Sequence, residues 1–97
     1  MLHLNQQDLA IVKKIIQETL SEFEVFFFGS RVTGTNKTYS DLDIVIKSDK
    51  KINFKTMESI KDIFSLSDIS IKVDILDWHS ISDDFQKIIL NNPTTTL

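Results

Sequence analysis

The stretch Phe26-Phe27-Phe28-Gly29-Ser30-Arg31-Val32-Thr33-Gly34, followed by the polar run Thr35 to Tyr39 and then by Ser40-Asp41-Leu42-Asp43-Ile44-Val45-Ile46, decides the fold. An apolar segment runs into a Gly-Ser corner. A second apolar segment opens with two aspartates one residue apart. Both glycines of the chain, Gly29 and Gly34, lie here. Side chains alternate along a strand, so Asp41 and Asp43 point to one side while Leu42 and Ile44 point to the other. Two carboxylates on one side repel and raise each other's pKa unless a cation sits between them. A pair of this kind suits a hard divalent ion such as Mg²⁺ together with phosphate oxygens. Gly29 permits a tight turn and close approach of a ligand to the main chain. Ser30 is a good cap for a short helix whose free N–H groups attract phosphate. The combination points to a site for a metal-bound nucleoside triphosphate.

Working outward, the segment before the corner, Glu24 to Phe28, is continuously apolar after Glu24 and reads as a strand buried on both faces. Upstream, Asn5 can cap a helix with Asp8 three residues on. Leu9, Val12, Ile16 and Leu20 recur at helical spacing with Ile15 beside them, which predicts a helix from Gln6 to Ser21. Downstream, Ser30 to Gly34 can form one helical turn stopped by Gly34. Ser40 to Ile46 is the second strand. Asn53 caps a helix whose apolar face comprises Phe54, Met57, Ile60, Ile63 and Phe64. Ile71 to Leu76 reads as a third strand. Ser80 or Ser82 caps a last helix with Asp83 and Asp84 in its first turn, where carboxylates complement the dipole, and Asn91-Asn92-Pro93 ends it.

The fold class is therefore α/β (α+β), a small mixed sheet flanked by helices. The 97 residues make one domain, 1–97, with 94–97 as a loose tail. The chain has no cysteine and a formal charge of −3. Disulfides and cysteine metal sites are excluded, and a grip on long nucleic acid, which needs a basic face, is disfavoured. Without a membrane-length apolar run or a leader pattern, a cytoplasmic location is the default.

Three further positions have two readings. Asp74 interrupts the third strand, either as an edge carboxylate facing solvent with Lys72 or as a third acidic ligand, with Asp77 as its rival. Arg31 is either a surface arginine paired with an acid or a phosphate contact. Tyr39 can pack on a base or serve as an acceptor hydroxyl for self-modification. His3 and His79 have no partner at metal-ligand spacing.

The corner and its aspartates resemble the signature of the polymerase beta-like nucleotidyltransferase superfamily, most closely its minimal (MNT) members. That signature is Gly-Ser, a spacer, then Asp-x-Asp. It is matched by Gly29, Ser30, Arg31, Gly34, Ser40, Asp41 and Asp43. The resemblance implies a palm-like α/β core and a two-metal Mg²⁺ site held by Asp41, Asp43 and Asp74. The nucleotide side would comprise Gly29, Ser30, Arg31 and Ser40, the last chiefly orienting the strand entrance. The resemblance further implies ATP as substrate and a HEPN-type ribonuclease toxin as partner, with AMP passed to one of its tyrosines. It leaves open a non-catalytic antitoxin that neutralises its partner by binding, nucleotidyl transfer to a small molecule, and a homodimer.

Overall fold

A computed structural model describes residues 2–97. Its order is α1 (Gln6–Thr19), β1 (Glu24–Phe28), α2 (Ser30–Thr33), β2 (Leu42–Lys47), α3 (Phe54–Ser65), β3 (Val73–Asp77), a 3₁₀ turn (Trp78–Ser80) and α4 (Asp83–Leu90). The three strands form one sheet in the order β1-β2-β3. β1 runs antiparallel to β2, and β2 runs parallel to β3. A parallel pair needs a crossover, which α3 supplies. No helix among the described residues is long and apolar enough to cross a membrane.

Strand alternation sorts the sheet into two faces. One face carries Phe27, Leu42, Ile44, Ile46 and Ile75, packed with Val12, Ile15 and Leu20 from α1 and Met57, Ile60 and Phe64 from α3. The other carries Phe26, Phe28, Asp43, Val45, Asp74 and Leu76. α4 lies over this second face, with Phe85 set edge-on to Phe28 at 6.2 Å and Ile89 buried. Val45 is buried on it, and Trp78 packs edge-on to Phe26 at 5.8 Å. β2 thus has apolar neighbours on both sides, which accounts for its unbroken run Ile44-Val45-Ile46.

The caps of α1, α3 and α4 follow the sequence, whereas α2 starts from Gly29 with no side-chain cap, so Ser30 does not cap it as expected. Asn5 accepts from the Asp8 N–H at 2.7 Å, Asn53 from Lys55 N–H at 2.8 Å, and Ser82 from Phe85 N–H at 3.1 Å. α1 stops at Thr19, two residues before the expected end at Ser21. Phe54, the first residue of α3, departs from its expected core role and is 76% exposed. The expected loose tail is corrected at Thr95. Its N–H donates to the Phe27 carbonyl at 3.1 Å and its carbonyl accepts from the Phe27 N–H at 2.8 Å. The outer edge of β1 offers unpaired groups, and the tail satisfies one pair of them.

Candidate active site

β1 delivers the chain to Gly29, whose φ of 83° is open to glycine and strained for other residues. The space beside it is equally restrictive. A Cβ at Gly29 would collide with the Asp43 carboxylate, since Phe28 and Asp43 are register partners across β1 and β2. The corner and the acid are therefore packed against each other. The α2 turn then starts at Ser30 and closes on Gly34, whose φ of 82° gives a left-handed cap. Val32 and Thr33 N–H groups donate back to the Gly29 carbonyl, at 3.0 and 3.1 Å. The N–H groups of Ser30 and Arg31 come before any intrahelical acceptor and are the groups such a corner offers to an anion.

Asp43 and Asp74 are register partners on the parallel strands β2 and β3, so their side chains leave the same face of the sheet side by side. Asp41 stands one residue before β2, and its charge is felt at Asp43. Asp41 and Asp74 are exposed and Asp43 is half-buried. Burial pushes the Asp43 carboxyl above the usual carboxylate range, and the charges of Asp74 and then Asp41 push it further. The charges of Asp74 and Asp41 are thus both felt at Asp43, while among the described residues no three acids are grouped closely enough to hold a metal ion as they stand. A donor set of carboxylate oxygens, mutually repulsive and partly desolvated, suits a hard divalent cation such as Mg²⁺. A groove of about 490 Å³ runs along the outer edge of β3, and its lining includes Lys61, Phe64, Ile71, Lys72, Val73 and Asp74.

Asp77, the rival third acid, is excluded by its position. It lies three residues along β3, on the opposite face, and is 3% exposed. Its carboxylate accepts from Ile52 N–H at 2.8 Å, His79 N–H at 3.1 Å and the Ser80 hydroxyl at 3.1 Å. It anchors the chain entering α3 to the end of β3. His79 is engaged too, its Nε2 lying 2.7 Å from the Ser48 carbonyl.

Arg31 corrects the expected phosphate contact. It is 7% exposed, and its guanidinium donates to four main-chain carbonyls. Nε reaches Ser40 at 3.1 Å, Nη1 reaches His3 at 3.0 Å, and Nη2 reaches Lys37 at 3.3 Å and Thr38 at 3.1 Å. Four of the five N–H donors of the planar fork are engaged within the protein. Its effect is to fix the loop that enters β2, and so the setting of Asp41. Ser40 belongs to the same brace. Its hydroxyl accepts from the Lys37 N–H at 2.8 Å, so it shapes the loop and is not presented to a nucleotide. Asp8 is a second structural acid that the pattern does not announce. It is 2% exposed and accepts from the Ser70 N–H at 2.9 Å and from the Ser70 hydroxyl.

Comparison with known proteins adds to this geometry. The family described as "Polymerase beta, Nucleotidyltransferase" matches residues 11–95. The chain is 44% identical over 88 residues to the probable protein adenylyltransferase MntA of Haemophilus influenzae, covering 91% of this chain and 77% of that one. A crystal structure of a toxin-antitoxin with AMP-PNP superposes with a TM-score of 0.64 at 22% identity, over 84% of this chain and 64% of that one. A mutant MntA-HpeT toxin-antitoxin structure gives a TM-score of 0.66 at 19% identity, over 96% of this chain and 72% of that one. At those identities the structures speak for the fold, and the family match with its 44%-identical relative speaks for descent. The chain belongs to the polymerase beta nucleotidyltransferase family.

Proposed function

We propose that this chain is a Mg²⁺-dependent adenylyltransferase that passes AMP from ATP to a tyrosine of a HEPN-type toxin, and so acts as its antitoxin. The reading rests above all on the register that sets Asp43 beside Asp74, with the Asp41 charge felt at Asp43 and Gly29 packed against the central acid. It is supported by the relative named as a probable protein adenylyltransferase and by fold neighbours that are toxin-antitoxin structures, one with AMP-PNP.

Within this reading each residue has a task. Asp41 and Asp43 hold the nucleotide's metal, and Asp74 completes the metal set on the side of the β3 groove. When bound, Mg²⁺ supplies positive charge to the phosphates and acidifies the attacking hydroxyl. Gly29 keeps the corner close to the nucleotide, and Ser30 with the first N–H groups of α2 receives the terminal phosphates. Arg31 holds the loop so that Asp41 meets the site in one orientation. Asp74, which lines the groove, receives the acceptor's proton. The acceptor enters along that groove.

The test is the intact mass of the polypeptide that co-purifies with this chain, measured before and after incubation with ATP and Mg²⁺. A mass gain of whole AMP units, absent with Asp41→Asn plus Asp43→Asn, is the expected result. A partner that stays unmodified yet fully inhibited assigns the chain to neutralisation by binding. Label appearing only on an added small molecule assigns it to small-molecule transfer.

A further inference from the structure

We propose that Tyr39 is itself an acceptor, nucleotidylated by a second copy of this chain. This deepens the function proposed above and rests on it. Tyr39 is the only tyrosine of the chain. It is 86% exposed, although it stands two residues before Asp41 at the mouth of the site. Three of the nearby hydroxyls are occupied. The Thr33 and Thr35 hydroxyls bond to each other at 2.9 Å, and the Ser40 hydroxyl accepts from Lys37 N–H. Tyr39 is bracketed by carbonyls that Arg31 grips, Thr38 on one side and Ser40 on the other. The loop is thus held as a fixed turn that presents a phenol outward.

That clamp also decides between reaction in one chain and reaction between two. With the main chain pinned on both sides, the loop cannot fold back to carry the phenol onto the carboxylates it precedes. Exposure leaves the ring free to enter the site of another molecule. The groove beside Asp74 is open to such an entrant. A phenol is also the better nucleophile of the loop's hydroxyls, because its anion is delocalised into the ring.

The step balances. The Tyr39 oxygen of one copy forms a bond to the α-phosphorus of ATP held by the other. The bond from that phosphorus to the oxygen bridging to the β-phosphate breaks, and pyrophosphate leaves with the electron pair. The phenolic proton passes to water. The product carries a phosphodiester anion on the exposed Tyr39.

Purified protein is incubated with ATP and Mg²⁺, and its intact mass and peptide map are followed. The expected result is a gain of one AMP, placed on Tyr39 and absent in Tyr39→Phe, with an initial rate that rises as the square of protein concentration. Tyr39→Phe keeps the ring, so a stacking role would survive in it. The decisive arm mixes Tyr39→Phe with Asp41→Asn plus Asp43→Asn. Label on the Tyr39 of the carboxylate-deficient chain confirms transfer between copies. Label in the parent protein but none in this mixture overturns it. Where Tyr39 stays unlabelled while both parent and Tyr39→Phe modify the co-purified partner, this proposal falls and the proposed function stands. Where neither modifies any protein, both fall.

Discussion

Asp43 and Asp77 stand on adjacent strands of one sheet and are treated in opposite ways. Asp77 is almost wholly buried, and three donors converge on it. Asp43 is less buried, yet its surroundings are desolvation and two like charges. A buried carboxylate that serves the fold is compensated within the protein, because leaving it unpaired costs several kcal/mol. In the proposed function Asp43 is left short of partners so that a cation and a triphosphate complete it. The same contrast holds for the cation. Arg31 sits a short loop away from three acids but spends its donors on carbonyls. Among the described residues no ion pair reaches Asp41, Asp43 or Asp74.

Four measurements test whether the two carboxylates differ in this way. The largest effect is expected from Asp43→Asn, which should cut nucleotidyl transfer by more than about 100-fold, beyond the loss typical of an outer-shell partner of a metal ligand. Its melting temperature should not fall. A stable, inactive variant separates the two kinds of acid, and an unfolded one would merge them. Asp77→Ala should do the reverse. It leaves the Ile52 N–H buried without its acceptor and is expected to cost about 3 kcal/mol in chemical denaturation. Arg31→Lys is next, at about 1–2 kcal/mol, because an ammonium cannot reproduce the four-carbonyl fork. Activity should drop in parallel as the Asp41 loop loosens. If Arg31→Lys leaves stability untouched and raises only KM for ATP, the arginine faces phosphate after all.

The smallest effect is in pH. Asp43 has a folded pKa raised above 3.8, so the folded state prefers its protonated form. Below the ordinary carboxylate range that preference is fully satisfied. As pH rises through the raised folded value, the folded state must ionise a group it disfavours, and stability is lost. The melting temperatures of the parent and Asp43→Asn should therefore coincide at low pH. The parent should fall progressively behind as pH rises from 3.8 upward. A gap that closes with rising pH would reverse the assignment.

Much of this was legible in the chain. Gly29-Ser30 and Asp41-x-Asp43 announce their site because each residue type is demanded by what it does there, a positive φ at one and paired carboxylates at the other. The helices α1, α3 and α4 announce their starts through Asn5, Asn53 and Ser82. What stayed hidden depends on partners that carry no sequence signal. Arg31 bonds to main-chain carbonyls, and every residue has one. Asp8 is matched to Ser70, 62 residues away, and neither is unusual in its own segment. Asp74 and Asp77 both look like acids in a strand. Their separation follows from register and facing, which is a property of how β2 and β3 align. Thr95 was unreadable for the same reason, because an open sheet edge recruits backbone and not side chain.

The grip of Arg31 on the His3 carbonyl gives the leading segment of the polypeptide a stake in events forty residues later in order but adjacent in space. The same side chain that steadies the run into β2 also moors the strand of chain ahead of α1, and the His3 N–H returns the tie to the Arg31 carbonyl at 2.7 Å. Anything that tugs on His3 or Leu4, such as a fused tag, is therefore transmitted to the posture of Asp41. A purification handle at that end is an unintended probe of turnover.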